Sequence, residues 1–195
     1  MIRLLRAESQ RRVPWKNGGG ETAEIMIWPE GSGFDDFDWR LSRATVATSG
    51  PFSEFPGVDR TLAVLSGAGV TLELPGMAPI RLTPESPPLP FPGDLACNAT
   101  LVAGVITDFN VMTRRGRYHH EMMLGEGRGR RDWGNREGFG GIHAGFGPLS
   151  CRLGDQDYAL GAGDTLIIGL PAHSSVEIDT ETCWLGITLT PGRIA

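Results

Sequence analysis

Lysine occurs once in this chain, at Lys16, while the other 17 of its 18 basic residues are arginines. It lies within Pro14-Trp15-Lys16-Asn17-Gly18-Gly19-Gly20. An ammonium is a compact charge with three donors and a guanidinium is a planar fork, so a lone lysine marks either a need for the compact geometry or a chance surface residue. Asn17 adds a donor and an acceptor. Glycines such as Gly18 and Gly19 let the backbone approach a ligand closely and present amide N–H groups. The block reads as a carboxylate receptor. The alternative is that Trp15 anchors a core or lid and the glycines only turn the chain into a strand starting near Thr22.

Two extended segments carry further polar groups in alternation. Along 39–46, Arg40, Ser42, Ala44 and Val46 share one face, and Trp39, Leu41, Arg43 and Thr45 share the other. The first set suits a pocket wall, and the reading leaves open which face is buried. Along 108–112, Asp108, Asn110 and Met112 share a face opposite Phe109 and Val111. Polar side chains in this otherwise apolar run need partners, because an unsatisfied buried polar group costs about 1–3 kcal/mol. Asp108 can meet Lys16 or an amide of a ligand, or form an ion pair with Arg60 or Arg114.

Several chemistries lack their residues. There is no G-x-S-x-G, no cysteine beside a histidine and no H-E-x-x-H, so no nucleophile–base–orienter set is present. A cofactor-independent isomerase, cyclase or hydrolase would have to use Asp108 or Glu24 as general base with Lys16 as electrostatic stabiliser. The histidines are His119, His120, His143 and His173. The adjacent pair would point to opposite faces of a strand, so solvated or structural histidines are expected, with no metal and no cofactor. Cys97, Cys151 and Cys183 lie far apart without a C-x-x-C pair and read as reduced thiols.

The elements that position these groups are short. The 195 residues, with 40% hydrophobic and 21% charged residues and a net charge of −5, describe a globular chain rather than a disordered or fibrous one. Mild acidity gives no pull toward nucleic acid or an anionic membrane. No apolar stretch is long enough to span a bilayer and the N-terminus lacks an apolar signal region, so a cytoplasmic protein is expected. Apolar runs bounded by Gly, Pro, Asp and Ser predict strands at 22–28, 39–47, 60–65, 70–74, 80–82, 101–112, 149–153, 157–160, 165–168, 175–178 and 184–189. The fold class is all-β, a barrel or sandwich. Gly-Asp turns at Gly93-Asp94 and Gly163-Asp164, each preceded by hairpin strands, suggest an internal repeat and two stacked barrel units. Between the copies, residues 113–137 hold seven arginines against four acids. Gly125-Glu126-Gly127-Arg128-Gly129-Arg130-Arg131 reads as an exposed, flexible loop. Aromatics there are limited to Tyr118 and Trp133, so nucleic acid is not expected as a partner.

The repeated Gly-Asp hairpins resemble the cupin superfamily, whose jelly rolls often bind metal through histidines. If Gly67 ends the first cupin motif, Arg60 occupies the usual glutamate slot and the histidine slots fall among Ser53, Glu54, Phe55 and Pro56. In the second copy, the segment 163–173 looks like the second cupin motif, with His173 at the remaining ligand position. One imidazole does not hold a catalytic metal.

Four blocks resemble the HutD/Ves family more closely: 14–25 (PWKNGGGETAEI), 39–44 (WRLSRA), 50–60 (GPFSEFPGVDR) and 108–115 (DFNVMTRR). The resemblance implies a two-cupin (bicupin) jelly-roll architecture, with barrels at 1–112 and 113–195 closely fused. It also implies an association with bacterial histidine utilisation and a role in binding or sensing a small carboxylated metabolite. The positions singled out for ligand binding are Lys16, Asn17, Gly18, Gly19, Thr22, Arg40, Ser42, Arg60, Asp108 and Asn110. A homodimer through edge strands follows by analogy with other cupins.

Overall fold

The computed structural model describes residues 1–15, 18–170 and 174–192. Among them there is no α-helix, only a 3₁₀ turn at Ala7–Ser9, and no helix long and apolar enough to cross a membrane. Each expected strand segment falls on an observed strand, with 39–47 and 70–74 running one residue past its end, except 101–112. There Gly104, at φ +63°, turns the chain at 102–105 and divides the run in two.

The chain forms two compact units, Arg11–Arg117 and a second made of Met1–Gln10 with Tyr118–Ala195. In the first lie β2 (Arg11–Pro14), β3 (Gly20–Trp28), β4 (Trp39–Val46), β5 (Gly50–Pro51) and β6 (Val58–Ser66). They are followed by β7 (Val70–Glu73), β8 (Ile80–Leu82), β9 (Leu89–Pro92), β10 (Asn98–Leu101) and β11 (Ile106–Arg114). The second unit holds β1 (Ile2–Leu5), β12 (Tyr118–Glu126), β13 (Gly129–Gly134), β14 (Gly138–His143) and β15 (Leu149–Leu153). It also holds β16 (Gln156–Leu160), β17 (Thr165–Leu170), β18 (Ser174–Asp179) and β19 (Cys183–Pro191).

A boundary at 112/113 is therefore corrected to 117/118, and the first ten residues leave the N-terminal unit. The cause is pairing: β11 runs on to Arg114, and β1 joins β17 from Ile2↔Ile168 to Leu5↔Thr165. The buried Asp164 carboxylate fixes that strand by accepting from Arg6 Nη1 (2.7 Å), the Ala7 amide (2.8 Å) and the Gly161 amide (2.9 Å).

Each unit is a pair of sheets. In the first they run β2-β3-β4-β11-β6-β9 and β5-β10-β7-β8, and in the second β1-β17-β14-β19-β12 and β13-β18-β15-β16. The segment β4-β11-β6-β9 reappears as β12-β19-β14-β17, and β5-β10-β7-β8 as β13-β18-β15-β16. The strand order thus repeats, although the two Gly-Asp turns are not equivalent in it: Gly93-Asp94 follows β9, whereas Gly163-Asp164 precedes β17. The inner faces bury Val46, Leu62 and Val64 against Val70, Leu72 and Ala99 in one unit, and Ile142, Leu166 and Ile168 against Cys151, Val176 and Ile178 in the other. Burial of each large aliphatic side chain is worth about 1.5–3 kcal/mol.

The Arg/Gly-rich segment is not a flexible loop. It contributes the end of β12 and all of β13, with β13 paired to β18 from Gly129↔Ile178 onward. Its glycines make room for rings: a Cβ on Gly125 would lie 2.3 Å from the Trp184 indole, directly opposite it in the ladder.

Candidate functional site

The interior of the unit Arg11–Arg117 is apolar at one end and polar at the other. Antiparallel register aligns the side chains of neighbouring strands on one face, two residues apart along each strand. Three cross-strand rows result. The first joins Thr22, Ala44, Asp108 and Val64; the second Glu24, Ser42, Asn110 and Leu62; the third Ile27, Arg40, Met112, Arg60 and Phe91. An irregularity between Glu24 and Met26 resets the β3 register, which keeps Ile27 in the third row. A cavity of about 440 Å³ opens over these rows, lined also by Pro14, Trp15, Pro51, Phe52, Ser53 and Phe55.

Its polar wall is wired in one chain. Arg60 Nε donates to Asn110 Oδ1 (2.7 Å), and Asn110 Nδ2 donates to Asp108 Oδ1 (2.7 Å). Asp108 is 1% exposed and Arg60 7%. Burial pushes the Asp108 carboxyl up to about 6, against the pull of Arg60 and the Asn110 hydrogen bond. Burial likewise lowers the Arg60 guanidinium, against the opposing field of Asp108. The Phe52 and Phe91 rings lie 4.8 and 5.4 Å from Arg60 Cζ, within cation–π range. Nε is occupied, and among the described residues no hydrogen bond from Nη1 or Nη2 is seen. A guanidinium edge of this kind is able to hold a carboxylate with two parallel hydrogen bonds.

Arg40 stands two strands away in the same row, about 10 Å between Cα atoms at ordinary strand spacing. Its Nε donates to Glu24 Oε2 (3.1 Å) and its Nη1 to Ser42 Oγ (3.4 Å). Phe34, 59% exposed, lies 4.9 Å over its Cζ and packs against Phe55. The turn that carries Phe34 is tied down by Arg114, whose Nε donates to the Phe37 carbonyl (3.0 Å), and by Arg117, which pairs with Asp38 (2.8 Å). Trp15 Nε1 donates to Thr22 Oγ1 (2.8 Å) at the opposite rim.

Of the positions singled out in the sequence, Thr22, Arg40, Ser42, Arg60, Asp108 and Asn110 line this one cavity. Lys16, Asn17 and His173 lie outside the described residues. Gly18 and Gly19 do not line the cavity. The Gly18 amide is spent in the turn, donating to the Trp15 carbonyl (3.0 Å), while the Gly19 carbonyl accepts from Ala47 (2.8 Å). At Gly20 a Cβ would sit 2.2 Å from the Thr45 carbonyl oxygen, so the last glycine of the run serves close packing between strands. Asp108 meets Arg60 through Asn110, and Arg114 is engaged elsewhere. The aromatic frame of Phe34, Phe52 and Phe91 was not anticipated: Phe91 comes from a short strand and the other two from turns without periodicity. In the slots where cupins place metal ligands, Arg60, Ser53 and Phe55 face the cavity. Among the described residues no group of three or more His, Cys, Asp or Glu is placed to share an ion.

Comparison with known proteins gives a consistent picture. The HutD family model matches residues 7–185. An uncharacterised 21.2 kDa protein from the hutC 3′ region of Pseudomonas putida is 40% identical over 134 residues, covering 66% of this chain and 67% of its own. Protein Ves of Citrobacter koseri is 37% identical over 148 residues, covering 73% and 75%. Among solved structures, HutD from Pseudomonas fluorescens SBW25 is 32% identical with a TM-score of 0.84, covering 99% of this chain and all of that one (100%). A conserved protein from Pseudomonas aeruginosa PAO1 is 33% identical with a TM-score of 0.86, covering 97% and 99%. More distant chains such as YlbA and the pirin YhhW of Escherichia coli, at 13% and 11% identity with TM-scores of 0.67 and 0.66, share the cupin-like fold alone.

Proposed function

The chain belongs to the HutD family, and from that premise we propose that it is a metal-independent bicupin whose N-terminal unit binds a small carboxylated metabolite of histidine degradation, acting in the cytoplasm as a sensor or flux governor. The observation that carries this reading is the Arg60 guanidinium. It is buried in the cavity wall, lies close to the Phe52 and Phe91 rings and is anchored through Nε to Asn110, and among the described residues its Nη1 and Nη2 show no hydrogen bond. A buried cation with an open fork is matched by a carboxylate, and Ser42, Asn110 and Asp108 beside it suit an amide-like second end. Urocanate, imidazolonepropionate, formiminoglutamate, formylglutamate and glutamate all carry the carboxylate, and several carry the amide-like end. Lys16 and Asn17 keep the receptor role on sequence grounds.

Calorimetric titration of the full chain with this panel, and with the uncharged amide of each compound, tests the reading. One carboxylated member is expected to bind at one site per chain and its amide at least tenfold more weakly. Failure of every member to bind at millimolar concentration would remove the proposal.

One observation favours a cofactor-independent enzyme instead: a carboxyl held near 6 in a cavity is a competent general base. Glu24 is engaged by Arg40 and does not line the cavity, so Asp108 is the candidate for that role. Turnover of any panel member by the pure protein, abolished in Asp108→Asn, would promote this reading.

A further inference from the structure

We propose that the cavity takes up its anion together with a proton, and that Asp108 holds the proton. The inference rests on the carboxylate-receptor reading and concerns how that site is regulated. Before an anion binds, the Asp108 carboxylate and the Arg60 guanidinium balance each other through two hydrogen bonds at Asn110, and both are almost fully shielded from water. A ligand carboxylate on Nη1/Nη2 neutralises the cation that keeps Asp108 charged, and places a second negative charge in the same water-poor space. Two carboxylates sharing such a site do not both remain ionised. Among the described residues, the other charged or titratable groups at this wall are Arg40 of β4, already paired with Glu24 of β3, and the Cys97 thiol, which burial holds protonated. None of these supplies a new positive charge when the ligand arrives, and a Lys16 ammonium joining the receptor is matched by the second carboxylate of a dicarboxylate ligand. The proton therefore comes from solvent and forms an O–H bond on Asp108, which turns that carboxyl from an acceptor into a donor able to hydrogen-bond the ligand.

The probe is glutarate, a dianion at neutral pH with no group that titrates there. Calorimetry at pH 7 is run in HEPES and in Tris, whose ionisation enthalpies differ. Asp108 starts about 90% ionised for a group titrating near 6, so an uptake of about 0.9 proton per glutarate is expected. Affinity should fall about tenfold between pH 7 and 8. In Asp108→Asn the buffer dependence should vanish and the affinity become flat with pH. Binding to the parent with equal enthalpy in both buffers, or an unchanged buffer dependence in Asp108→Asn, overturns the proposal and leaves the receptor standing. Absence of glutarate binding to the parent at any pH from 5 to 8 removes the receptor, and this inference with it. The parent's buffer and pH series decide the matter even if the variant fails to fold.

Discussion

Arg60→Gln separates the fork of the guanidinium from the rest of its structural work. The glutamine Nε2 sits where the arginine Nε does along the side chain, so the variant can still donate to Asn110 Oδ1 and preserve the chain to Asp108. What disappears is Cζ with Nη1 and Nη2, and with them the positive charge. Asp108, no longer held ionised by that charge, titrates above its present value near 6 and is mostly neutral at pH 6, so little uncompensated buried anion remains there. The cost to folding should accordingly stay within about 1–2 kcal/mol by urea denaturation, well below the about 3–5 kcal/mol of a broken buried ion pair. Binding should suffer far more. Two hydrogen bonds from a charged donor, at about 1.5–3 kcal/mol each, amount to at least about 3 kcal/mol, or roughly 150-fold in Kd. Arg40→Gln should cost only about tenfold, because Nε and Nη1 of Arg40 are already engaged by Glu24 and Ser42. Isothermal titration with glutarate at pH 6 reads both. A folded Arg60→Gln that binds within threefold of the parent would refute the assignment of the fork as the anion receptor.

Two predictions concern stability. An aspartate titrates near 3.9 in an unfolded chain and Asp108 titrates at about 6 in the fold, so between these values the native state binds more protons. Native stability therefore falls as pH rises through that window, and a penalty on the order of 3 kcal/mol is fully present above about pH 6. Asp108→Asn should thus unfold at higher urea than the parent at pH 8 and at nearly the same urea at pH 4; a difference independent of pH would contradict the sign. In the other unit, Gly140→Ala places a Cβ 2.4 Å from the Trp133 ring, an overpacking worth about 1–3 kcal/mol. The melting temperature should drop by several degrees, and an unchanged value would mean that the ring has room to move.

Much of the cavity wall was legible because its strands obey a period of two. Arg40 and Ser42 on one segment, and Asp108 and Asn110 on another, each fall on a common face, and the pairing of β4 with β11 brings the two faces together. Residues that enter from turns and short strands gave no such signal. Phe52 and Phe91 become neighbours of Arg60 only through tertiary contact, with Phe91 opposite it in the β6–β9 ladder. The misreading of 125–137 has a physical cause of the same kind. Glycine lowers every local measure of strand preference, yet Gly125 is required because an indole occupies the space of its missing side chain. The demand that put glycine there lies in β19, about 60 residues away along the chain.

The repeated strand order shows what an interior must contain to stay open. Both units carry the same two-sheet pattern, so backbone topology does not decide between cavity and packed core. In the second unit Trp133 and Trp184 fill the interior, each laid over a glycine, and Trp133 satisfies its N–H at the Ile187 carbonyl (3.1 Å). On the inner face of β19 stand Trp184 and Thr188, whereas its counterpart β11 presents Asp108, Asn110 and Met112. A large indole removes about 150–250 Å² of surface from water and stabilises a closed core. The first unit forgoes that gain and instead buries a carboxyl at a cost of roughly 3 kcal/mol above pH 6. Such a cost persists in a fold only where something else requires it. An anion that relieves it by bringing a proton to Asp108 would convert the stored penalty into binding selectivity, which is why the parent protein should be stabilised by glutarate more strongly at pH 6 than at pH 8.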